Sequence, residues 1–137
     1  MTDPLRATAA AYAVAIAVHF GDHLRRGLDA SPDGVIALGV LAAVFQVVAI
    51  VAALTRRSFA PLLAVAVALP DAVGVFVVHL LPRWSALSDP FPGGGPDVTA
   101  LSWVSGIAEI VTGLAFAYAG WVALRNRRAA PATRATS

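Results

Sequence analysis

His19, Asp22 and His23 stand at positions i, i+3 and i+4, the spacing that places three side chains on one face of a helix. Two imidazoles one turn apart beside a carboxylate are what metal-binding helices present. His79 adds a third imidazole from a distant part of the chain. Nitrogen and oxygen donors of this kind suit zinc, iron or copper, so one expectation is a divalent metal held by His19, Asp22, His23 and His79. Glu109 and Asp71 suggest a second chemistry. One carboxylic acid delivers a proton while the other carboxylate, or His19, accepts one. Gln46, Ser105, Trp84 and Trp103 are the expected orienting and substrate-binding partners of Glu109, Asp71 and His19.

These residues are conspicuous because of what surrounds them. The chain has 137 residues, 58% hydrophobic and 13% charged, against roughly 45–50% and 25% in ordinary soluble domains. So few charges cannot clothe a globule of this size, which excludes a water-soluble enzyme, a disordered chain and a nucleic-acid-binding module. The apolar residues lie in long blocks, and a bilayer is the solvent they fit. An ionisable side chain at bilayer depth costs about 2.5–3.5 kcal/mol on insertion scales and so calls for a reason. The chain has no cysteine, which removes disulfides and thiolate chemistry.

Four blocks are long enough to cross, giving an all-α integral membrane four-helix bundle with spans at about 4–26, 34–54, 59–81 and 98–124. The first opens with Asp3-Pro4, a cap followed by a first-turn proline, and closes at Gly27. Its pattern continues past Phe20 to Leu24, so it reads as a retained span rather than a cleaved leader. Ser31-Pro32-Asp33 caps the second span. Pro70 interrupts the third, with Asp71 next to it, and a mid-span proline bends a helix. The fourth carries Trp103 near one end and Tyr118 and Trp121 near the other, as interfacial aromatics do. Residues 1–128 form a single transmembrane domain, and 129–137 read as a disordered cytoplasmic tail.

The arginines set the orientation. Four spans put Arg6, Arg56, Arg57, Arg125, Arg127, Arg128 and Arg134 on one side and Arg25, Arg26 and Arg83 on the other. The positive-inside rule then places both termini in the cytoplasm, in the cytoplasmic (plasma) membrane. An arginine-only, Ala- and Val-rich chain is what a GC-rich bacterial genome encodes. Counting inward from the span ends puts His19, Gln46, Asp71 and Glu109 within about one turn of the midplane, with Asp22, His23, Ser105 and His79 about one to two turns further out. On the fourth span Ser102, Ser105, Glu109 and Thr112 form a polar stripe, with Gly106 and Gly113 beside it.

The expectation is a polar chamber opening outward, its ligand density lying between the first and fourth spans. A lid is expected in the irregular loop 82–97, with Arg83-Trp84-Ser85 above the chamber. The activity this implies is a membrane-embedded acid/base enzyme, with metal assistance as an option. It would be an isomerase, cyclase or hydratase working on an apolar lipid- or isoprenoid-like molecule among membrane lipids. The alternative is a small proton-coupled transporter, which from four spans requires a homo-oligomer, or an accessory subunit of a larger membrane complex. Serines and glycines also serve simple helix packing, and Gln46 alone would read as interhelical glue.

Overall fold

The computed structural model describes residues 3–129. Four helices make up the fold: α1 (Pro4–Arg26), α2 (Asp33–Leu54), α3 (Ala60–Val75, continued by a π-helical turn over Phe76–Leu80) and α4 (Ala100–Ala129), with a short 3-10 turn at Leu28–Ala30. No strand occurs among the described residues. Three of the helices, at Asp33–Leu54, Ala60–Leu80 and Ala100–Ala129, are long and apolar enough to cross a membrane. The protein is thus an all-helical membrane bundle. Ala129 closes α4 instead of opening a tail, and the rest of the expected tail, 130–137, lies outside the described residues.

Several helix ends follow local chemistry, with an exception at the start of α2. Asp3 accepts a hydrogen bond from the Leu5 amide at 3.1 Å and caps α1, with Pro4 in its first turn. Gly27, at φ 87°, turns the chain out of the helix, a conformation open to glycine because it lacks a Cβ. At α4, Thr99 precedes the helix and its amide donates to Ser102 Oγ at 3.2 Å, the backward half of a capping box. The exception is Ser31. Pro32 occupies the cap position of α2 with no side-chain bond, and the Ser31 hydroxyl is used elsewhere.

Lipid tails are as apolar as leucine, so helices in a membrane associate through close van der Waals packing of small residues. Ala60, Ala64, Ala68 and Ala72 form a buried stripe along α3, and Gly113 and Gly120 of α4 lie against it. A Cβ at Gly120 would stand 2.6 Å from the Pro61 carbonyl oxygen and 2.8 Å from Ala64 Cβ. On α1 the buried face runs through Ala9, Tyr12, Ala15, His19, Asp22 and Arg26 and packs antiparallel on α4. α2 joins this trio through the second half of its length, where Gln46, Ala49, Ile50, Ala52 and Ala53 are buried. In its first half only Val35 is buried, so a cleft separates that half from α1 and α3. The helical course of α3 passes through Pro70 without a break, and its irregularity falls later, at the π-helical turn that carries His79.

Candidate functional site

α1, α2, α3 and α4 each send polar side chains into one buried network. His19 Nδ1 meets Glu109 Oε2 at 2.5 Å. The Gln46 side-chain amide donates to Asp71 Oδ1 at 2.6 Å and to Glu109 Oε1 at 3.3 Å. Tyr12 donates its hydroxyl proton to Asp71 Oδ2 at 2.6 Å. The result is a continuous chain, Tyr12–Asp71–Gln46–Glu109–His19, in which one amide links two carboxyl groups. Gln46 is therefore an element of the centre rather than isolated glue. Asp71 serves Tyr12 and Gln46, not the backbone beside Pro70.

At the His19 end the three histidines converge. Ring centroids are 5.0 Å apart for His19–His23 and His19–His79, and 5.3 Å for His23–His79. One ring nitrogen from each lies within 4.8 Å of the others. Each Nδ1 faces an oxygen. His19 Nδ1 has Glu109, His23 Nδ1 has Ser31 Oγ at 3.2 Å, and His79 Nδ1 has the Asp89 carbonyl at 2.9 Å.

The loop between α3 and α4 holds this end together. Arg26 makes a bidentate pair with Asp89 at 2.9 and 2.8 Å, and Ser31 donates to Asp89 Oδ2 at 2.8 Å. Phe91 stacks on His79 with centroids 4.7 Å apart, and its amide donates to the His79 carbonyl at 2.8 Å. Burial pushes the Asp89 carboxyl toward its neutral form. The hydrogen bonds from Arg26 and Ser31 and the Arg26 charge outweigh that and hold its pKa below the ordinary carboxylate value.

A cavity of about 700 Å³ lies against this network, bounded by α1, the first half of α2 and α3. His19, His23, Gln46, Asp71, His79 and Glu109 stand on its wall, and the remaining lining is mostly aliphatic, including Ile16, Leu38, Leu41, Val67 and Val78. Its position corrects the expectation of a space between the first and fourth spans, since His19 and Glu109 bridge those two helices directly. Its character also differs from a polar chamber: polar groups occupy one wall and hydrocarbon the rest. Leu38, Leu41 and Phe45 line it while more than half exposed, at 51%, 55% and 55%, so these α2 side chains border both the cavity and the outer surface of the bundle.

Four expected partners stand apart from the cavity. Asp22 is buried but accepts from Arg25 Nε at 2.9 Å, away from the histidine cluster. Ser105 returns its hydroxyl to the Ser102 carbonyl at 3.0 Å. Trp103 packs against Phe91, centroids 5.7 Å apart. Trp84 is exposed, with its indole N–H on the Val77 carbonyl at 3.0 Å. Three contributors were not singled out from the sequence. Tyr12 lies seven residues before His19, on the same helical face, so phase alone would have found it. Asp89 carries no local signal and Ser31 signals only a helix cap, because their roles here depend on how the long loop folds back.

Fold and centre together define a class: a helical membrane protein with a buried acid–histidine centre opening on an apolar cavity. No family model, curated protein or solved structure matches the chain.

Proposed function

We propose that the protein is a membrane-embedded acid/base enzyme that moves protons on an apolar, lipid- or isoprenoid-like molecule taken up from the bilayer. The observation that carries this reading is the Tyr12–Asp71–Gln46–Glu109–His19 chain, whose last four members stand on one wall of an otherwise apolar cavity. Small-molecule sites are typically apolar volumes of this size with a few convergent polar groups. A proton placed on one carbon of a double bond by Glu109 or Asp71, and another removed from a neighbouring carbon by its partner, shifts the double bond with no external reagent. Ring closure or capture of water from the same cation makes the reaction a cyclisation or a hydration. Gln46 fixes the spacing of the two carboxyl groups, and Tyr12 orients Asp71. The arginine distribution supports an arrangement with both termini cytoplasmic and the histidine end on the far side of the membrane.

Solvent labelling tests the reading without a known substrate. Protein reconstituted in vesicles containing mixed polyisoprenoid lipids is incubated in D2O, and the lipids are analysed by mass spectrometry. Wild type should introduce deuterium at carbon, and Glu109→Gln and Asp71→Asn, checked for folding by gel filtration, should not. No label in any lipid, or equal labelling by Glu109→Gln, overturns the proposal. Proton flux across the same vesicles that disappears in Glu109→Gln would support transport instead.

A further inference from the structure

The three histidines of the cavity wall are constrained in a way the proton chemistry does not require. An imidazole nitrogen facing a carbonyl or carboxylate oxygen must carry a proton, since those oxygens only accept. That fixes His79 as the Nδ1–H tautomer, on the Asp89 carbonyl, and, with Glu109 ionised, His19 likewise. Ser31 has one hydroxyl proton and gives it to Asp89, so toward His23 it accepts, and His23 is also Nδ1–H. All three rings therefore keep a lone pair on Nε2. None of these Nε2 atoms has a hydrogen-bond partner among the described residues. His19 Nε2 in particular is fully buried and unpaired, on a residue only 5% exposed. A buried polar atom without a partner is rare and costs on the order of 1–3 kcal/mol.

The geometry points to a divalent transition-metal site formed by Nε2 of His19, His23 and His79, with a fourth position facing the cavity. Ligating histidines usually donate their other ring N–H to a carboxylate, a carbonyl or a hydroxyl, which fixes the tautomer. Here Glu109, the Asp89 carbonyl and Ser31 are those acceptors. Nitrogens around a tetrahedral ion at about 2.0–2.1 Å stand ~3.3 Å apart. One nitrogen of each ring already lies within 4.8 Å of the others, so bringing three nitrogens to the tetrahedral spacing takes side-chain adjustments on the order of 1 Å. Charge supports the same conclusion: Glu109 and Asp71, bridged by Gln46, are two carboxyl groups at bilayer depth, and a dication beside them supplies the counter-charge they otherwise lack. Three imidazoles without thiolate suit zinc, copper or iron in the divalent state.

Metal binding is measured independently of turnover. Protein carrying a purification tag without histidine is stripped with chelator in detergent, then titrated with Co²⁺ by visible absorption and with Zn²⁺ by calorimetry. Wild type should bind a single ion per chain with a tetrahedral Co²⁺ spectrum. His23→Ala and His79→Ala should lose at least ~100-fold in affinity, and Glu109→Gln about 10–100-fold through His19. Ser105→Ala should bind as wild type does. Because a histidine variant can fail to fold, wild type is also treated with diethylpyrocarbonate, and bound Zn²⁺ should protect His19, His23 and His79 from modification. An absent Co²⁺ spectrum, unprotected histidines, or folded His23→Ala and His79→Ala binding at full strength overturns the site.

Discussion

The seam between α3 and α4 and the first half of α2 are both made of small and aliphatic residues, yet they behave oppositely. At the seam a Cβ on Gly120 would collide with the Pro61 carbonyl, whereas on α2 a Cβ on Gly39 meets nothing within 4 Å. The difference separates two requirements of a site inside a membrane. A chain of short hydrogen bonds needs rigid backing, and α1, α3 and α4 provide it by close small-residue contact. An apolar ligand needs room and a way in, and the splayed half of α2 provides both. The catalytic candidates sit on the boundary between the two regions. Gln46 is the point where α2 stops leaning outward and joins the core.

The largest effect is expected where the loose region is tied to the rigid one. Asp89 receives Arg26 from α1 and Ser31 from the connection just before α2, and its backbone holds His79 of α3. Both members of the ion pair are buried, with side chains 1% and 4% exposed. Removing one partner of such a pair costs about 3–5 kcal/mol, because the other charge is left uncompensated. Arg26→Ala should lose about that much in SDS unfolding and release the first half of α2. A loss under ~1 kcal/mol would mean the two regions are held together by something else. The pH dependence has a definite sign. Since the Asp89 pKa is lowered in the fold, its contribution is complete above the ordinary carboxyl value of about 4 and is lost as pH falls below it through the folded value. The Asp89 contribution should therefore stay level from pH 7 to about 5 and fall only in stronger acid, so that over this acid range wild type loses more stability than Asp89→Asn does.

Next in size is the seam. Gly120→Ala places a methyl group against backbone, which cannot rotate away, so α3 and α4 must separate. Overpacking of this kind costs about 1–3 kcal/mol. The same SDS unfolding reads it, and unchanged stability would show that the seam is looser than its contacts imply.

The sequence carried the bundle and much of the site. Long uncharged runs, capping residues and the i, i+3, i+4 spacing are local signals, and they survive folding because the bilayer leaves a helix few alternatives. Depth counting brought His19, Gln46, Asp71 and Glu109 to one level, and the structure joins them by hydrogen bonds. What escaped is what depends on rotation and on loops. Depth fixes how far along a helix a residue lies, not where its side chain turns, so Asp22 was grouped with the histidines although it faces Arg25. Ser31 reads locally as a cap, and only the return of the loop gives it Asp89 and His23 as partners. The cavity escaped for a further reason: one sequence does not say which helix of four will pack less closely.

Tyr12 tests whether the rigid region extends to its lipid-distant end. Tyr12→Phe keeps the ring against Phe116, now 5.8 Å between centroids, and removes only the hydroxyl that donates to Asp71 Oδ2. Leaving a buried acceptor unpaired costs about 1–3 kcal/mol, and SDS unfolding should fall toward the lower end, because Asp71 is only partly buried and Gln46 still binds its other oxygen. No change would show that Asp71 finds water from the cavity, which would place the polar chain on the open side of the boundary.

The smallest effect should have the opposite sign. Gly39 lies on the cavity wall in the splayed half of α2 with nothing in the path of an added Cβ. Alanine there meets no steric cost and gains helix propensity, up to ~1 kcal/mol relative to glycine. Gly39→Ala should therefore be neutral or slightly stabilising in the same assay in which Gly120→Ala is destabilising, although the chemical change is identical. A loss as large as that of Gly120→Ala would mean that α2 closes onto its neighbours in the membrane and that the cavity is a transient opening. A neutral or favourable result places the difference in packing between the two helices in the folded protein itself, with the open half of α2 as the resting state, which is the arrangement the proposed uptake from the bilayer requires.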